Sequence, residues 1–308
     1  MRRRGPDNHR DRVGRALGRA RAAAQTASRR PSGHAPPRKR FAQHFLERPW
    51  AERVTQAIAP LGGDVILEIG PGRGAITQLL VRNDVRVVAI EIDRELTAAL
   101  RSTLPEVRVV ESDFLALSPS RLRDELGPLS AHSGRLRVVG NLPYNVAAPI
   151  LFRLLELHRE GLPLADATVM LQREVADRLL AAPGSRDYGA LSVLIQREAK
   201  VERLLQLPPG AFRPVPMVHS TLVRLRFQPS QGTARSGAFR SLTVAIFSRR
   251  RKTIANALAA YRGSRDVRPT DVLRYAGIDP RRRPETLTIE EIGRLVDGFL
   301  SADAPGLA

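Results

Sequence analysis

The chain has 308 residues, 43% of them hydrophobic, no cysteine and a formal net charge of +19. That hydrophobic fraction is enough to bury a core, which excludes general disorder, and the missing cysteines exclude disulfide frameworks, thiolate metal sites and cysteine nucleophiles. No run approaches the ~18 consecutive apolar residues of a membrane span, the first residues lack the apolar centre of a secretory signal, and the charge points to a polyanionic partner.

Residues 1–40 carry +11 of that charge, with Asp7 and Asp11 as their only acids. Rich in Arg, Ala, Gly, Pro and Ser, they read as a flexible basic arm: a solvated tail, a non-specific RNA-binding arm or a transit peptide. From Phe41 the texture changes. Residues 50–61 have helical spacing, 64–69 predict a buried strand, and 75–82 begin a helix. A strand at 86–92, a helix at 94–104, strands at 107–110 and 136–139, a helix at 147–158, a strand at 167–171 and a helix to about residue 182 follow. This alternation predicts an α/β fold, a parallel sheet with helices on both faces. Segments 201–207 and 221–227 predict an antiparallel pair at one edge. Beyond Pro229 the strands stop. Helices are expected at 239–261, 270–276 and 289–300, the last opened by a capping box of Thr288 and Glu291. The expected organisation is an arm at 1–40, a sheet domain at 41–229 and a small all-helical domain at 230–308.

The run LEIGPGRGA at 67–75 follows a strand and opens a helix. Gly70 and Gly72 permit a tight turn and close approach of a ligand to the backbone. Glu91 ends the next strand, where a carboxylate can accept from ribose hydroxyls. The spacing also satisfies a dinucleotide fingerprint. Two features favour S-adenosylmethionine. Glu68 can face a cationic end, and Asp113, ending the third strand, can accept from an adenine amine, with Phe114 beside that ring. Asp113 also reads as a simple turn cap.

The run NLPYN at 141–145 directly follows the strand at 136–139. The lone pair of an adenine N6 is delocalised into the ring, so the amine is a poor nucleophile. Two acceptors that pull its N–H bonds out of the ring plane correct this. The Asn141 side-chain oxygen is one, and the carbonyl of Leu142 or Pro143 the other. Pro143 fixes the local backbone. Tyr144 offers a face for an extruded base, worth ~1–3 kcal/mol.

Taken together, these runs resemble the small-subunit (16S) ribosomal RNA adenine N6,N6-dimethyltransferases, relatives of the 23S erythromycin-resistance methyltransferases, over residues 38–300. The resemblance rests on RFAQHFL at 40–46, the glycine loop at 67–74, IEID at 90–93, SDF at 112–114, the loop at 140–145 and FRPVPMVHS at 212–220. It implies a Rossmann-like class I S-adenosylmethionine-dependent methyltransferase sheet with a C-terminal all-helical domain. By resemblance the cofactor contacts are His44, Leu46, Gly70, Gly72, Glu91, Asp113 and Asn141, and Phe212 joins Tyr144 in stacking on the target adenine. His44 stands where the family often has Asn. Met217 stands where it usually has Lys, which weakens one RNA contact. The stretches at 247–256 and 277–287 resemble the small-subunit branch, making Arg249, Arg250, Arg251 and Lys252 a phosphate-contacting patch rather than a solvated helix face.

The implied reaction is dimethylation of two adjacent adenines in the 3′-terminal hairpin of 16S rRNA within an immature small ribosomal subunit. The enzyme is expected to be a cytoplasmic monomer with no metal and no membrane partner. A resistance-type 23S methyltransferase, a non-catalytic RNA-binding or transcription factor, and a nicotinamide-dependent oxidoreductase stand as alternatives.

Overall fold

Residues 44–129, 134–229, 233–259, 261 and 267–302 are described by the computed structural model. The basic arm lies outside them. The first elements are strand β1 (Phe45–Leu46) and helix α1 (Arg48–Ile58), which starts with proline in its first turn. Then come β2 (Val65–Ile69), α2 (Thr77–Leu80), β3 (Arg86–Glu91) and α3 (Arg94–Thr103), whose amides at Glu95 and Leu96 are capped by the Asp93 carboxylate. After β4 (Arg108–Glu111) come α4 (Pro119–Leu126), β5 (Leu136–Asn141), α5 (Ala147–Arg159), β6 (Leu164–Gln172), α6 (Arg173–Leu180), α7 (Ala190–Gln196) and β7 (Ala199–Leu207). The short β8 (Phe212–Arg213) and β9 (Ser220–Phe227) complete the strands. Helices α8 (Thr233–Phe247), α9 (Ile254–Leu258), α10 (Pro269–Ala276) and α11 (Ile289–Ala302) follow.

The main sheet runs β4-β3-β2-β5-β6-β9-β7. Its first five strands are parallel, and β9 and β7 join antiparallel. The expected edge pair is therefore present, with β7 outermost. Both faces are covered, as apolar parallel strands require. Val65, Leu67 and Ile69 of β2 pack toward α4, α5 and α6, while Ile66 packs toward α1, α2 and α3. Chain order reverses between β2 and β5. In open α/β sheets that is the switch point where the crevice for a ligand forms. Gly140 lets the two strands run this close: a Cβ there would sit 2.8 Å from the Ile69 carbonyl oxygen.

The C-terminal helices form a third apolar cluster with Ala181, Tyr188, Val193 and Leu194, residues that precede β7. The capping box is present: the Thr288 amide donates to Glu291 at 2.8 Å, and the Glu291 amide to the Thr288 hydroxyl at 3.2 Å. The single helix expected at 239–261 is broken at residues 248–253. Ser248 to Lys252 offer no apolar group to bury, and the Thr253 hydroxyl caps α9 instead. Helices α4 and α7 lie outside the elements predicted from the sequence. The first is short and begins on a Ser118 cap followed by Pro119.

Beneath α1 lies a buried charged network. Arg137 pairs with Asp64 at 3.1 Å and with Asp166 at 3.0 Å, and donates to the carbonyls of Ile58 and Ala59. Arg224 adds bonds to the carbonyls of Ala57 and Ile58. Two guanidinium groups thus satisfy the open C-terminal end of α1, whose orphan carbonyls would otherwise be buried without donors. Replacing Arg137 by Leu strands the buried Asp166 carboxylate and leaves Asp64 to Arg135 and the Leu61 amide. It is expected to cost about 3–5 kcal/mol in urea unfolding; a loss below 1 kcal/mol would contradict the role given to this network.

Candidate active site

The carboxyl ends of β2, β3, β4 and β5 bring the predicted residues to one rim. Gly70 and Gly72 adopt φ of +67° and +59°. That left-handed backbone is open to glycine and strained for other residues. A Cβ on Gly72 would also sit 3.2 Å from the Phe45 ring. The Gly72 amide donates to Glu91 Oε2 at 3.0 Å, and the Asp93 amide to Glu91 Oε1 at 2.9 Å. Glu91 therefore ties the glycine loop to the end of β3, and each of its oxygens keeps a further lone pair for a hydroxyl donor. Burial pushes its pKa up. Asp113 is exposed and caps a turn through Oδ1, accepting from the Leu115 amide at 2.9 Å. The turn-cap reading of Asp113 is met on one oxygen, at a strand end on the rim.

Below the loop sits Glu68, fully buried, with its Oε2 lacking any protein partner. Burial pushes its pKa up to about 7, the nearby Glu91 charge adds to this, and the Thr77 hydroxyl offsets part of it. An unpartnered carboxyl under a glycine cradle, with carboxylates at two neighbouring strand ends, fits a ligand that carries a cationic end, a ribose and an adenine.

At the end of β5 the Asn141 side-chain nitrogen donates to the His44 carbonyl at 2.9 Å. A carbonyl accepts only from a donor, so this bond fixes the amide orientation and leaves Oδ1 as a free-facing acceptor. The Pro143 carbonyl closes a turn by accepting from the Val146 amide at 3.1 Å. Of the two carbonyls left open by the sequence, Leu142's is the one not used in that turn. The Leu142 side chain is buried, which anchors the loop. Tyr144 is held at both ends: its hydroxyl shares a 3.0 Å hydrogen bond with Ser220, and its ring lies 5.7 Å from the His44 ring at 27°. His44 Nδ1 meets the Pro214 carbonyl at 2.8 Å, and Leu46 pairs with Phe212 across the β1–β8 ladder.

Three expectations need correction. Phe212 is 1% exposed in the cluster under α1 and presents no face for a base; it anchors β1 to β8 instead. Phe114 is likewise part of the sheet core, not a platform beside a ligand. Arg250 is committed internally, donating to the Arg186 carbonyl at 2.9 Å and facing Glu285 at 3.7 Å. Arg249, Arg251 and Lys252 are exposed, in the turn between α8 and α9. Two residues of the site are not among those predicted: Ser220, which holds Tyr144, and Arg73, whose guanidinium lies 4.2 Å from the centre of the Phe45 ring. Ser220 ends the quoted 212–220 run, so its position was a usable signal. Arg73 carried none.

The ribosomal RNA adenine dimethylase family matches residues 36–297. The chain is 42% identical over 259 residues to ribosomal RNA small subunit methyltransferase A of Anaeromyxobacter dehalogenans, covering 82% of this chain and 90% of that protein. The protein of the same name from Nitrosococcus oceani is 43% identical over 268 residues, covering 86% and 97%. Among solved structures, a dimethyladenosine transferase from Plasmodium falciparum superposes with a TM-score of 0.68 at 22% identity, covering 84% of this chain and 98% of that one, which shows the fold. The 23S rRNA methyltransferase ErmE gives 0.58 at 26% identity, covering 83% and 99%.

The Glu68 environment makes stability depend on pH. Unfolded, this carboxyl titrates near 4.5; folded, near 7. The folded chain holds its proton longer as pH rises, so stability falls between those values and is level above them. Relative to Glu68→Gln, the unchanged chain is expected to lose about 3 kcal/mol of unfolding free energy between pH 4.5 and 8. Parallel stability curves for the two chains would contradict this.

Proposed function

This chain belongs to the ribosomal RNA adenine dimethylases, and from that premise we propose that it methylates N6 of two adjacent adenines in the 3′-terminal hairpin of 16S rRNA, giving N6,N6-dimethyladenines during assembly of the small ribosomal subunit. The observation that carries this reading is the Asn141 amide, pinned by the His44 carbonyl so that its oxygen is the group presented. S-adenosylmethionine supplies the methyl group in electrophilic form, bound to positively charged sulfur. Gly70, Gly72, Glu91 and Asp113 would hold it, with His44, Leu46 and Asn141 at its reactive end and Glu68 beneath the cation.

The protein's own work is to prepare the amine. Asn141 Oδ1 and the Leu142 carbonyl accept one N–H each and bend the amine out of conjugation, so its lone pair becomes available. Pro143 stiffens the backbone that aims this carbonyl, and Tyr144 stacks on the base. The amine proton then leaves to water, so no strong base is required. Holding amine and methyl in line supplies the remaining rate. Arg249, Arg251 and Lys252 contact phosphates, and residues 230–308 act as the RNA-positioning domain. The enzyme works as a cytoplasmic monomer without a metal. No helix among the described residues is long and apolar enough to cross a membrane.

A 23S target is less well supported, because identity to the 23S enzyme is 26% against 42% and 43% for the small-subunit relatives. Mass spectrometry of rRNA fragments after incubation with labelled cofactor separates the two. Label in the 3′-terminal hairpin of 16S rRNA is expected; label confined to 23S rRNA would overturn the assignment. Asn141→Ala is expected to lower kcat by about 10²–10³-fold, and full turnover by this variant would refute its role.

A further inference from the structure

The loop at residues 214–219 carries an unusual surface. Met217 is 100% exposed, and Val215 and Val218 beside it are 54% and 40% exposed. Single exposed apolar residues are ordinary, but three on one short loop mark a contact surface. The loop is stiff. Pro214 and Pro216 fix two of its φ angles, and Pro216 is buried beneath the tip. Its two ends are rooted on His44 and Tyr144. The Pro214 carbonyl meets His44 Nδ1 at 2.8 Å, and the Ser220 hydroxyl meets the Tyr144 hydroxyl at 3.0 Å. The Arg173 amide donates to the His219 carbonyl, and Arg173 and Arg213 are both exposed. An apolar tip framed by arginines suits nucleic acid, with phosphates on the rim and base faces at the centre. It does not suit an acidic or apolar protein surface equally well, because the root of the loop at Ser220 is bonded to Tyr144, the residue that stacks on the target base.

A base drawn from its stack leaves a gap between its neighbours. Proteins that unstack nucleic acids commonly fill such gaps with apolar side chains, and a flexible, polarisable methionine suits an irregular one. We propose that Met217, supported by Val215 and Val218, is a wedge that occupies the place of the target adenine in the RNA stack while that adenine lies against Tyr144. The wedge rests on the reading that this chain methylates an rRNA adenine. It replaces a charged phosphate contact at this position with an apolar one, so its removal changes base extrusion without changing salt dependence.

The test uses the full chain with S-adenosylmethionine and a hairpin RNA carrying 2-aminopurine in place of the target adenine, which brightens on leaving the stack. The unchanged chain is expected to raise the fluorescence. Met217→Ala is expected to lose most of this rise and to bind the RNA roughly tenfold more weakly, with the same salt slope and the same cofactor affinity by calorimetry. Met217→Leu is expected to restore both signals. An alanine variant that matches the unchanged chain in rise and affinity overturns the wedge. So does a Met217→Lys variant that binds better and steepens the salt slope by about one, since the position would then serve phosphate. No rise with the unchanged chain also sinks the wedge. If 16S rRNA is still methylated in parallel, the functional reading survives alone; if it is not, both fall.

Discussion

The hydrogen bond from the Asn141 side-chain nitrogen to the His44 carbonyl decides what the site can do. It joins the segment before α1 to the end of β5, two parts of the chain 97 residues apart. An unrestrained asparagine presents either a donor or an acceptor. Pinned to a carbonyl, it presents its oxygen, and an oxygen is what a neutral exocyclic amine requires. Amide selectivity is thereby built into the backbone and not left to the substrate.

That bond holds only if His44 is held. Its ring is stacked with Tyr144 and bonded to the Pro214 carbonyl, and the neighbouring Phe45–Leu46 strand pairs with Phe212–Arg213. Behind it α1 is clamped at its far end by Arg137 and Arg224. The buried ion pairs and the rim therefore form one chain of constraints from the floor of the sheet to the loop at 140–145. Gly140 serves the same end, because a side chain there would force β5 away from β2 and move Asn141 with it.

The parallel strands and the residues at their carboxyl ends were legible in the sequence because both obey local rules. Val65–Ile69 and Arg86–Glu91 are short apolar runs, and Glu91, Asp113 and Asn141 follow them in register. What could not be read were features fixed by distant parts of the chain. Phe212 resembles a stacking residue by motif, but pairing with Leu46 buries it. Arg250 lies in a basic run that reads as one patch, yet Glu285 and the Arg186 carbonyl claim it. The helix predicted through 248–253 failed because apolar periodicity on both sides concealed a polar gap and a threonine cap. The choice between the Leu142 and Pro143 carbonyls needed the turn to Val146, which no composition rule shows.

The most direct measurement is a structure of the protein bound to its hairpin RNA and a non-reactive analogue of S-adenosylmethionine. The account predicts the target N6 within about 3 Å of both Asn141 Oδ1 and the Leu142 carbonyl oxygen, with the Asn141 nitrogen still on the His44 carbonyl. An amine turned away from both oxygens, or an Asn141 amide reversed toward the base, would contradict it.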